Sequence, residues 1–198
     1  MSPKTKEQYE AIRERSMATI KEAALELFAH NGYHSTSINQ IAKAAGVSKG
    51  LMYNYFAGKE DLLNSIILDA VNMGEEIMAQ YLTKTEDPYE QLRGITRVSF
   101  TMVKANLHYW KLLTSLAFQT DVLKGMETLL KQKQEEAMAQ FIDIFARMGV
   151  SDPKMEAYAY GALMDGIMIQ YMQMEKGYPL EEMQTLVLNR YDKPKKEQ

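Results

Sequence analysis

The sequence predicts an all-α protein, and its 198 residues could form one domain or a small domain joined to a larger one. Apolar residues recur at helical spacing along most of the chain, and no segment shows the alternation expected of a β-strand. The prolines fall at ends and breaks of these periodic segments, at positions 3, 88, 153, 179 and 194. With 46% hydrophobic and 25% charged residues, the composition is that of an ordinary globular protein.

The composition also excludes several classes of protein. There is no cysteine, so disulfides and thiolate metal sites are excluded, and a reducing cytoplasm is the expected location. No run approaches the roughly 18 apolar residues of a membrane span, and no apolar core follows the charged N-terminus, so neither a membrane nor a signal peptide is predicted. Residues 1–60 carry eight Lys/Arg against six Asp/Glu, whereas the remainder carries fifteen against twenty. This mildly basic N-terminal third is a weak sign of a polyanionic partner.

The first two predicted helices are marked by clear stop and start signals. A helix over about 7–30 ends at Asn31-Gly32, because glycine accepts the left-handed cap; its inward candidates are Ile12, Ala23, Leu27 and Phe28. Ser37 with Gln40 three residues later predicts a capping box for a second helix, which Gly46 ends.

The next two helices are joined by a short break. Ser48 predicts the cap of a third helix that lasts to about Phe56. After Ala57-Gly58, a long fourth helix is predicted from Lys59 to about Tyr81.

Two short helices joined by a glycine turn form a helix-turn-helix pattern, whose second helix enters the DNA major groove. Met52 and Phe56, four residues apart, are predicted to face the core. Lys49, Gly50 and Tyr53 share a sector of roughly 100°. A glycine here costs up to about 1 kcal/mol of helix propensity, which is understandable if the backbone closely approaches another surface.

Lys59 is unusual because a cation at a helix N-terminus is normally disfavoured by the macrodipole. A phosphate docked at that terminus would make the lysine favourable there, because the exposed N–H groups and the lysine would both attract the phosphate. The alternative is a surface lysine whose charge is offset by Glu60 and Asp61.

The N-terminal third resembles the DNA-binding domain of the tetracycline-repressor (TetR) family of bacterial regulators. The resemblance is carried by residues 36–62, TSINQIAKAAGVSKGLMYNYFAGKEDL, and by the preceding AALELFAHNGYHSTS. The residues that match the family pattern are Ile38, Ile41, Ala42, Gly46, Val47, Gly50, Tyr53, Phe56, Lys59 and Leu62. The resemblance covers about the first third of the chain. It implies a helix-turn-helix domain over 1–58 and an effector-binding and dimerisation domain over 59–198.

The resemblance also implies roles for individual residues. Ser37 and Asn39 would meet phosphates, and Tyr55 and Lys59 would grip phosphate. The residues expected at the major groove or its flanking backbone are Lys49, Gly50, Leu51, Tyr53 and Asn54. By its side-chain chemistry, Ser48 can hydrogen-bond a phosphate or a base edge. Lys49 is the expected base reader, because lysine can donate to guanine O6 and N7. A basic N-terminal tail could add a contact or remain solvated and disordered; its cations are Lys4, Lys6, Arg13 and Arg15.

Beyond the linker at 83–88, helices are predicted over 88–106, 108–118, 121–148, 153–176 and 180–191, followed by a frayed tail. The helix over 153–176 is apolar on nearly all sides, which indicates burial on more than one side. Its candidate interface residues are Ala157, Gly161, Ala162, Gly166 and Ile169. The family resemblance implies a homodimer through this helix, with 121–148 as second contributor and a near-palindromic operator. Simple core burial explains the same residues without a dimer.

A largely apolar effector pocket is expected in the C-terminal part, where twelve of the fifteen methionines lie. Its candidate lining residues are Phe100, Tyr109, Trp110, Phe118, Met164, Asp165, Met168 and Tyr171. Methionines and aromatics fill irregular cores equally well. Asp165 could meet a cationic ligand or a donor across an interface, or could cap a neighbouring helix.

Enzymatic chemistry finds no support in the sequence. His30 and His34 are separated by a helix break, and no nucleophile elbow, phosphate loop or dinucleotide fingerprint occurs. No metal and no cofactor are predicted. The predicted function is a ligand-responsive DNA-binding regulator, most simply a repressor released by its effector. The alternative is a helical small-molecule-binding protein without sequence-specific DNA binding, and an oligomeric scaffold that binds neither is a further possibility.

Overall fold

The computed structural model describes residues 5–117 and 122–194, and within these ranges all regular secondary structure is helical. The first four helices are α1 (Lys6–Asn31), α2 (Ile38–Ala44), α3 (Lys49–Tyr55) and α4 (Lys59–Lys84). They are followed by α5 (Pro88–Ala105), α6 (Leu107–Ala117), α7 (Glu127–Arg147), α8 (Pro153–Met174), a 3-10 turn (Glu175–Gly177) and α9 (Leu180–Arg190). The prediction of an all-α fold is confirmed. No helix in the described part of the chain is both long and apolar enough to cross a membrane.

The chain forms two compact units. One comprises Met1–Ala70 with Leu112–Lys124, and the other comprises Val71–Lys111 with Gly125–Gln198. The change from one unit to the other therefore falls inside α4, whereas the functional boundary predicted from the sequence is the first residue of that helix. The predicted division of roles between 1–58 and 59–198 stays a prediction.

The N-terminal unit is built on the inner face of α1, against which α2 packs, and α2 packs in turn against α3. The buried residues of α1 are Ile20, Ala24, Leu25 and Phe28. Ile12 was expected to face inward, but it is 42% exposed, because α1 contributes buried residues only from Ile20 onward. The predicted disorder of the N-terminal tail is also wrong from Thr5 onward, since a capping box between Thr5 and Gln8 starts α1 at Lys6.

The C-terminal unit has its own hydrophobic core, formed where α7 packs on α8 and where α5 packs on α7 and α9. Its centre is aromatic: Phe145 is fully buried, with ring centroids 6.0 Å from Tyr160 and 5.5 Å from Tyr191. The Tyr160 hydroxyl lies 2.9 Å from that of Thr96, so this buried polar pair is satisfied. Burial raises the pKa of Tyr160 to about 12.

The start of the C-terminal segment, predicted to be a frayed tail from 192 onward, is attached to α5. Asp192 accepts a hydrogen bond from Arg93 at 2.5 Å, and Lys193 pairs with Asp87, the residue that caps α5. The predicted helix over 121–148 begins later, at Glu127, in the described residues.

Gly94 lies on α5 where the ring of Tyr81 leaves no room for a side chain, since a Cβ at Gly94 would overlap that ring. Tyr81 is itself packed against the core. We expect Gly94→Ala to destabilise the protein by about 1–3 kcal/mol through overpacking, less a helix-propensity gain of up to about 1 kcal/mol. Thermal and urea unfolding would measure this change.

Gly74 on α4 is the matched control, because a Cβ there meets no atom within 4 Å. Gly74→Ala should therefore stabilise the protein by about 0.5–1 kcal/mol. Equal effects of the two substitutions would show that the Tyr81 ring moves aside without cost.

Candidate DNA-binding site

The turn between α2 and α3 is closed by backbone hydrogen bonds around a left-handed glycine. Gly46 has φ of +67°, a conformation that favours glycine. The Val47 N–H donates to the Ala42 carbonyl at 2.9 Å and the Gly46 N–H to the Lys43 carbonyl at 3.3 Å. These are the bonds of a helix C-cap of the Schellman type, so α3 begins at a defined angle to α2.

Helix α3 has one buried and one exposed face, as the sequence predicted. Met52 is 1% exposed and Phe56, just after the helix, is 3% exposed. Lys49, Gly50, Tyr53 and Asn54 are exposed, and Leu51 and Tyr55 are half-buried. The Lys49 amine lies 5.9 Å from the Tyr53 ring centroid, a cation–π contact that restricts the lysine on this face.

The serines that cap α2 and α3 are exposed but differ in their remaining hydrogen-bonding capacity. The Ser37 hydroxyl donates to the Gln40 side chain at 2.7 Å and accepts from the Gln40 N–H at 3.3 Å, which confirms the capping box. The Ser48 hydroxyl accepts from the Leu51 N–H at 3.1 Å. Ser48 could therefore donate its proton to a phosphate without losing its cap, whereas Ser37 would have to exchange its bond to Gln40. Asn39 is exposed on the first turn of α2.

Tyr55 has a basic neighbour that sequence spacing did not reveal. The guanidinium carbon of Arg13, on α1, lies 5.8 Å from the Tyr55 ring centroid. In the sequence, Arg13 belongs to a basic tail, and only the packing of α1 brings it to the end of α3. The contact adds a positive charge beside the tyrosine.

Lys59 extends from the first residue of α4 to the turn after α1. Its amine donates to the carbonyls of Tyr33 at 2.7 Å, Thr36 at 2.9 Å and His34 at 3.2 Å. An ammonium group has three protons, so all of its hydrogen-bonding capacity is used. The phosphate contact predicted for Lys59 stays a prediction, and it could be made only through charge or by breaking one of these bonds.

Packing within the described protein does not require a glycine at position 50, since a Cβ there would meet only the Ser48 Oγ at 3.9 Å. We expect Gly50→Ala to stabilise the free protein by up to about 1 kcal/mol, because alanine has the higher helix propensity. The same substitution should weaken binding to a DNA site if the backbone approaches the duplex at this position. Thermal unfolding and DNA binding, measured on the same preparation, would show whether stability rises and whether DNA affinity falls. Unchanged DNA affinity would contradict the close approach.

The residues predicted to line an effector pocket differ widely in burial. Phe100 and Met164 are buried in the core of the C-terminal unit, and Met168 and Tyr171 pack against it. Trp110 is half-buried, lies edge-on to Tyr109 with centroids 5.4 Å apart, and donates its ring N–H to the Met102 carbonyl at 3.2 Å. Phe118 lies outside the described residues. Their role as a pocket stays a prediction.

Asp165 is exposed on α8, yet partial desolvation raises the pKa of its carboxyl above the usual 3.8. Because the pKa is raised in the folded protein, the protonated carboxyl is the form that stabilises the fold. This contribution to stability is fully present below pH 3.8 and is lost as the pH rises through the raised pKa. Asp165→Asn should therefore melt at a higher temperature than the wild type near pH 7. The difference should shrink as the pH approaches about 3.5. A difference that is the same at both pH values would contradict the desolvation of this carboxylate.

The predicted dimer residues lie on two faces of α8. Ala157 is 1% exposed and belongs to the core of its own unit, so it offers no surface to a partner. Ala162 is exposed, and Gly161, Gly166 and Ile169 are half-buried. Added Cβ atoms at Gly161 and Gly166 would meet no atom within 4 Å, so packing inside the described protomer does not require these glycines.

Comparison with known proteins gives matches in both sequence and fold. The family described as "Bacterial regulatory proteins, tetR family" matches residues 20–66. The "Fatty acid metabolism regulator protein" of Bacillus subtilis (strain 168) is 30% identical over 125 residues, which are 63% of this chain and 61% of the relative.

Among solved structures, the transcriptional regulator FadR from Bacillus subtilis in complex with stearoyl-CoA superimposes with a TM-score of 0.66 and 24% identity. That alignment covers 88% of this chain and 96% of the other. AibR in complex with isovaleryl coenzyme A and operator DNA gives a TM-score of 0.69 and 18% identity over 88% and 97% of the two chains. The helix-turn-helix segment over residues 20–66 thus matches the tetR family of bacterial regulatory proteins, and the described fold is similar to the folds of these two regulators.

Proposed function

We propose that the chain is a ligand-controlled transcriptional regulator that binds a near-palindromic operator as a homodimer and is released by a small-molecule effector. The observation that carries this proposal is the exposed face of α3. It presents a lysine, a glycine, a tyrosine and an asparagine to the exterior, while Met52 and Phe56 hold the helix to the core. This division of faces is what a recognition helix needs.

In the proposed complex, Lys49 reads a guanine through O6 and N7, and Leu51 packs against a thymine methyl. Gly50 lets the backbone approach the duplex, and Tyr53 and Asn54 reach base edges or the flanking backbone. The residues that contact phosphate are Ser37, Asn39, Ser48 and Tyr55. Lys59 contributes its charge. Phosphate contacts set the register of the domain on the duplex, and the base contacts of α3 provide the specificity.

The experiment that tests this proposal is selection of binding sites from a random duplex library at a stated salt concentration, since affinity depends strongly on salt. The expected result is a near-palindromic site whose half-sites are about 34–36 Å apart, one turn of DNA. Failure to enrich any site from the library, with and without candidate effectors, would leave the helical small-molecule-binding protein as the better function.

The proposed homodimer uses the outer face of α8. Gly161, Ala162, Gly166 and Ile169 lie on this helix, where small side chains permit close approach of a second helix. Exposed apolar residues of the same helix support the proposal, since Met155 is 60% and Tyr158 50% exposed. Helix α7 is the proposed second contributor. Sedimentation of the wild type and of Ala162→Glu would test it, and a wild-type monomer at micromolar concentration would reject it.

The proposed effector is an acyl coenzyme A thioester, held in the C-terminal unit. Two fold relatives are solved in complex with stearoyl-CoA and with isovaleryl coenzyme A, and the candidate residues here are largely apolar and include two methionines. An effector that favours one position of α4, which begins at Lys59 and runs into the C-terminal unit, would shift the population of DNA-competent dimers.

Trp110, the single tryptophan, provides a direct measurement of effector binding. Adding stearoyl-CoA should change Trp110 fluorescence and release the selected operator, whereas free coenzyme A and a detergent at matched concentration should do neither. If fluorescence changes but operator affinity stays constant at saturation, the ligand site is real and the coupling through α4 is wrong. If neither changes, the effector belongs to another chemical class.

A further inference from the structure

The strongest unexplained feature of the N-terminal unit is the surroundings of the Lys59 amine. Three backbone carbonyls, of Tyr33, His34 and Thr36, accept hydrogen bonds from it at 2.7–3.2 Å. The ring of Tyr33 lies beneath the same amine, with its centroid 4.4 Å away. A cation held by three charge-assisted bonds and an aromatic face is fixed in position.

The turn that receives this amine is itself tightly organised. Thr36 is 2% exposed, and its hydroxyl donates to the carbonyls of Gly32 at 2.9 Å and Leu27 at 3.2 Å. The Tyr33 ring packs edge-on against the buried Phe28, with centroids 5.2 Å apart. The turn is therefore anchored to α1 from one side and to Lys59 from the other.

This arrangement explains why a lysine occupies the first residue of α4. The macrodipole of α4 disfavours a cation there, but the amine reaches the turn after the C-terminal end of α1, where a cation is favoured. The neighbouring Asp61 is bound to the segment before α4, because its carboxylate accepts a hydrogen bond from the Ala57 N–H at 2.8 Å. The structure thus gives Lys59 a reason to be present without any phosphate.

We infer that Lys59 is a positioning residue that locks the turn at 32–36 to the start of α4 and thereby sets the orientation of the helix-turn-helix. Helix α2 begins at Ile38, two residues after Thr36, so the turn defines where α2 and then α3 begin. The segment between α3 and α4 is only residues 56–58, and Lys59 adds a second connection across this joint. The expected effect on DNA affinity rests on the proposed DNA-binding function, whereas the attachment of the turn to Lys59 rests on the hydrogen bonds described above.

Two variants distinguish this role from a phosphate contact. Lys59→Arg keeps the positive charge, but a planar guanidinium does not reproduce the three-fold donor geometry of an ammonium. Lys59→Met keeps an unbranched chain and removes the charge. We expect both variants to lower the affinity for the selected operator at least tenfold. For a lysine that only binds phosphate, arginine would restore wild-type affinity, and methionine would reduce the slope of log affinity against log salt by about 0.9.

Hydrogen exchange of the full-length protein without DNA provides the independent readout. Amides over residues 32–38 should exchange at least tenfold faster in both variants than in the wild type, while α8 should stay unchanged. Lys49→Met is the matched control, and its exchange over 32–38 should equal that of the wild type.

Unchanged exchange over 32–38 in Lys59→Met, or wild-type operator affinity in Lys59→Arg, overturns the inference. Should the wild type select no DNA site, the proposed function fails, and the exchange experiment still decides whether Lys59 locks the turn.

Discussion

Replacing Lys49 with alanine is expected to lower affinity for the selected operator by about 5- to 150-fold, the equivalent of losing one base contact worth about 1–3 kcal/mol. The lysine is exposed on α3, and its nearest aromatic neighbour, Tyr53, is exposed as well. Its removal should therefore leave the stability of the free protein within about 0.5 kcal/mol of the wild type. Equilibrium binding at fixed salt and thermal unfolding would measure the two quantities.

The pattern of loss across DNA sequences tests the base-reading role of Lys49. Substitution of a residue that reads a base lowers the affinity of the protein more for the selected site than for a shuffled duplex. Substitution of a residue that contacts only phosphate lowers both affinities by similar factors. Tyr53→Phe, which removes only a hydroxyl, is the companion variant on the same face. Equal losses on selected and shuffled DNA would assign Lys49 to the phosphate backbone and leave base reading to Tyr53 and Asn54.

Phe145→Ala should be the most destabilising of the substitutions proposed for this protein, by about 3–5 kcal/mol. Phe145 is fully buried on α7 and contacts the rings of Tyr160, on α8, and of Tyr191, just after α9. Truncation would leave a cavity where α7, α8 and α9 meet, and these rings cannot all move to fill it. A loss of this size is a large share of the stability of a typical domain.

Urea unfolding at a fixed protein concentration is the appropriate measurement, because the proposed dimerisation would make the apparent stability depend on concentration. Phe145→Leu, which leaves a smaller cavity, should lose less. The surface control on the same helix is Lys131→Ala, which removes only an exposed ion pair with Glu135 and should cost less than about 1 kcal/mol. An unfolding midpoint unchanged in Phe145→Ala would show that this aromatic cluster is not the centre of the C-terminal core.

Local signals accounted for most of the N-terminal helices. The capping box of Ser37 and Gln40, the left-handed Gly46 and the four-residue spacing of Met52 and Phe56 each act within one or two turns of helix. Such features depend on neighbours in the chain, so sequence spacing is sufficient to predict them. The exposed face of α3 followed from the same spacing.

Residues distant in sequence decided what local spacing could not. Ile12 fits an apolar stripe, but the buried residues of α1 begin only at Ile20, and the Ile12 side chain is 42% exposed. Gly94 has no special backbone conformation, and the reason for a glycine is the Tyr81 ring from α4. Ala157 was grouped with the small residues of a dimer surface, yet its own core buries it. In each case the cause is packing between separate helices, which a one-dimensional pattern does not contain.

Lys59 shows most clearly how sequence and tertiary structure divide the information. The sequence alone determined the all-α class, the helix-turn-helix and the resemblance to TetR regulators, because these are written in short-range periodicity, caps and turn residues. It also identified Lys59 as anomalous at a helix N-terminus. Only the tertiary structure supplied the reason, because the carbonyls that bind its amine belong to a turn more than twenty residues earlier in the chain. Which groups meet across that separation is decided by how α1, α2 and α4 pack, since hydrogen bonds require distances that only the folded chain provides.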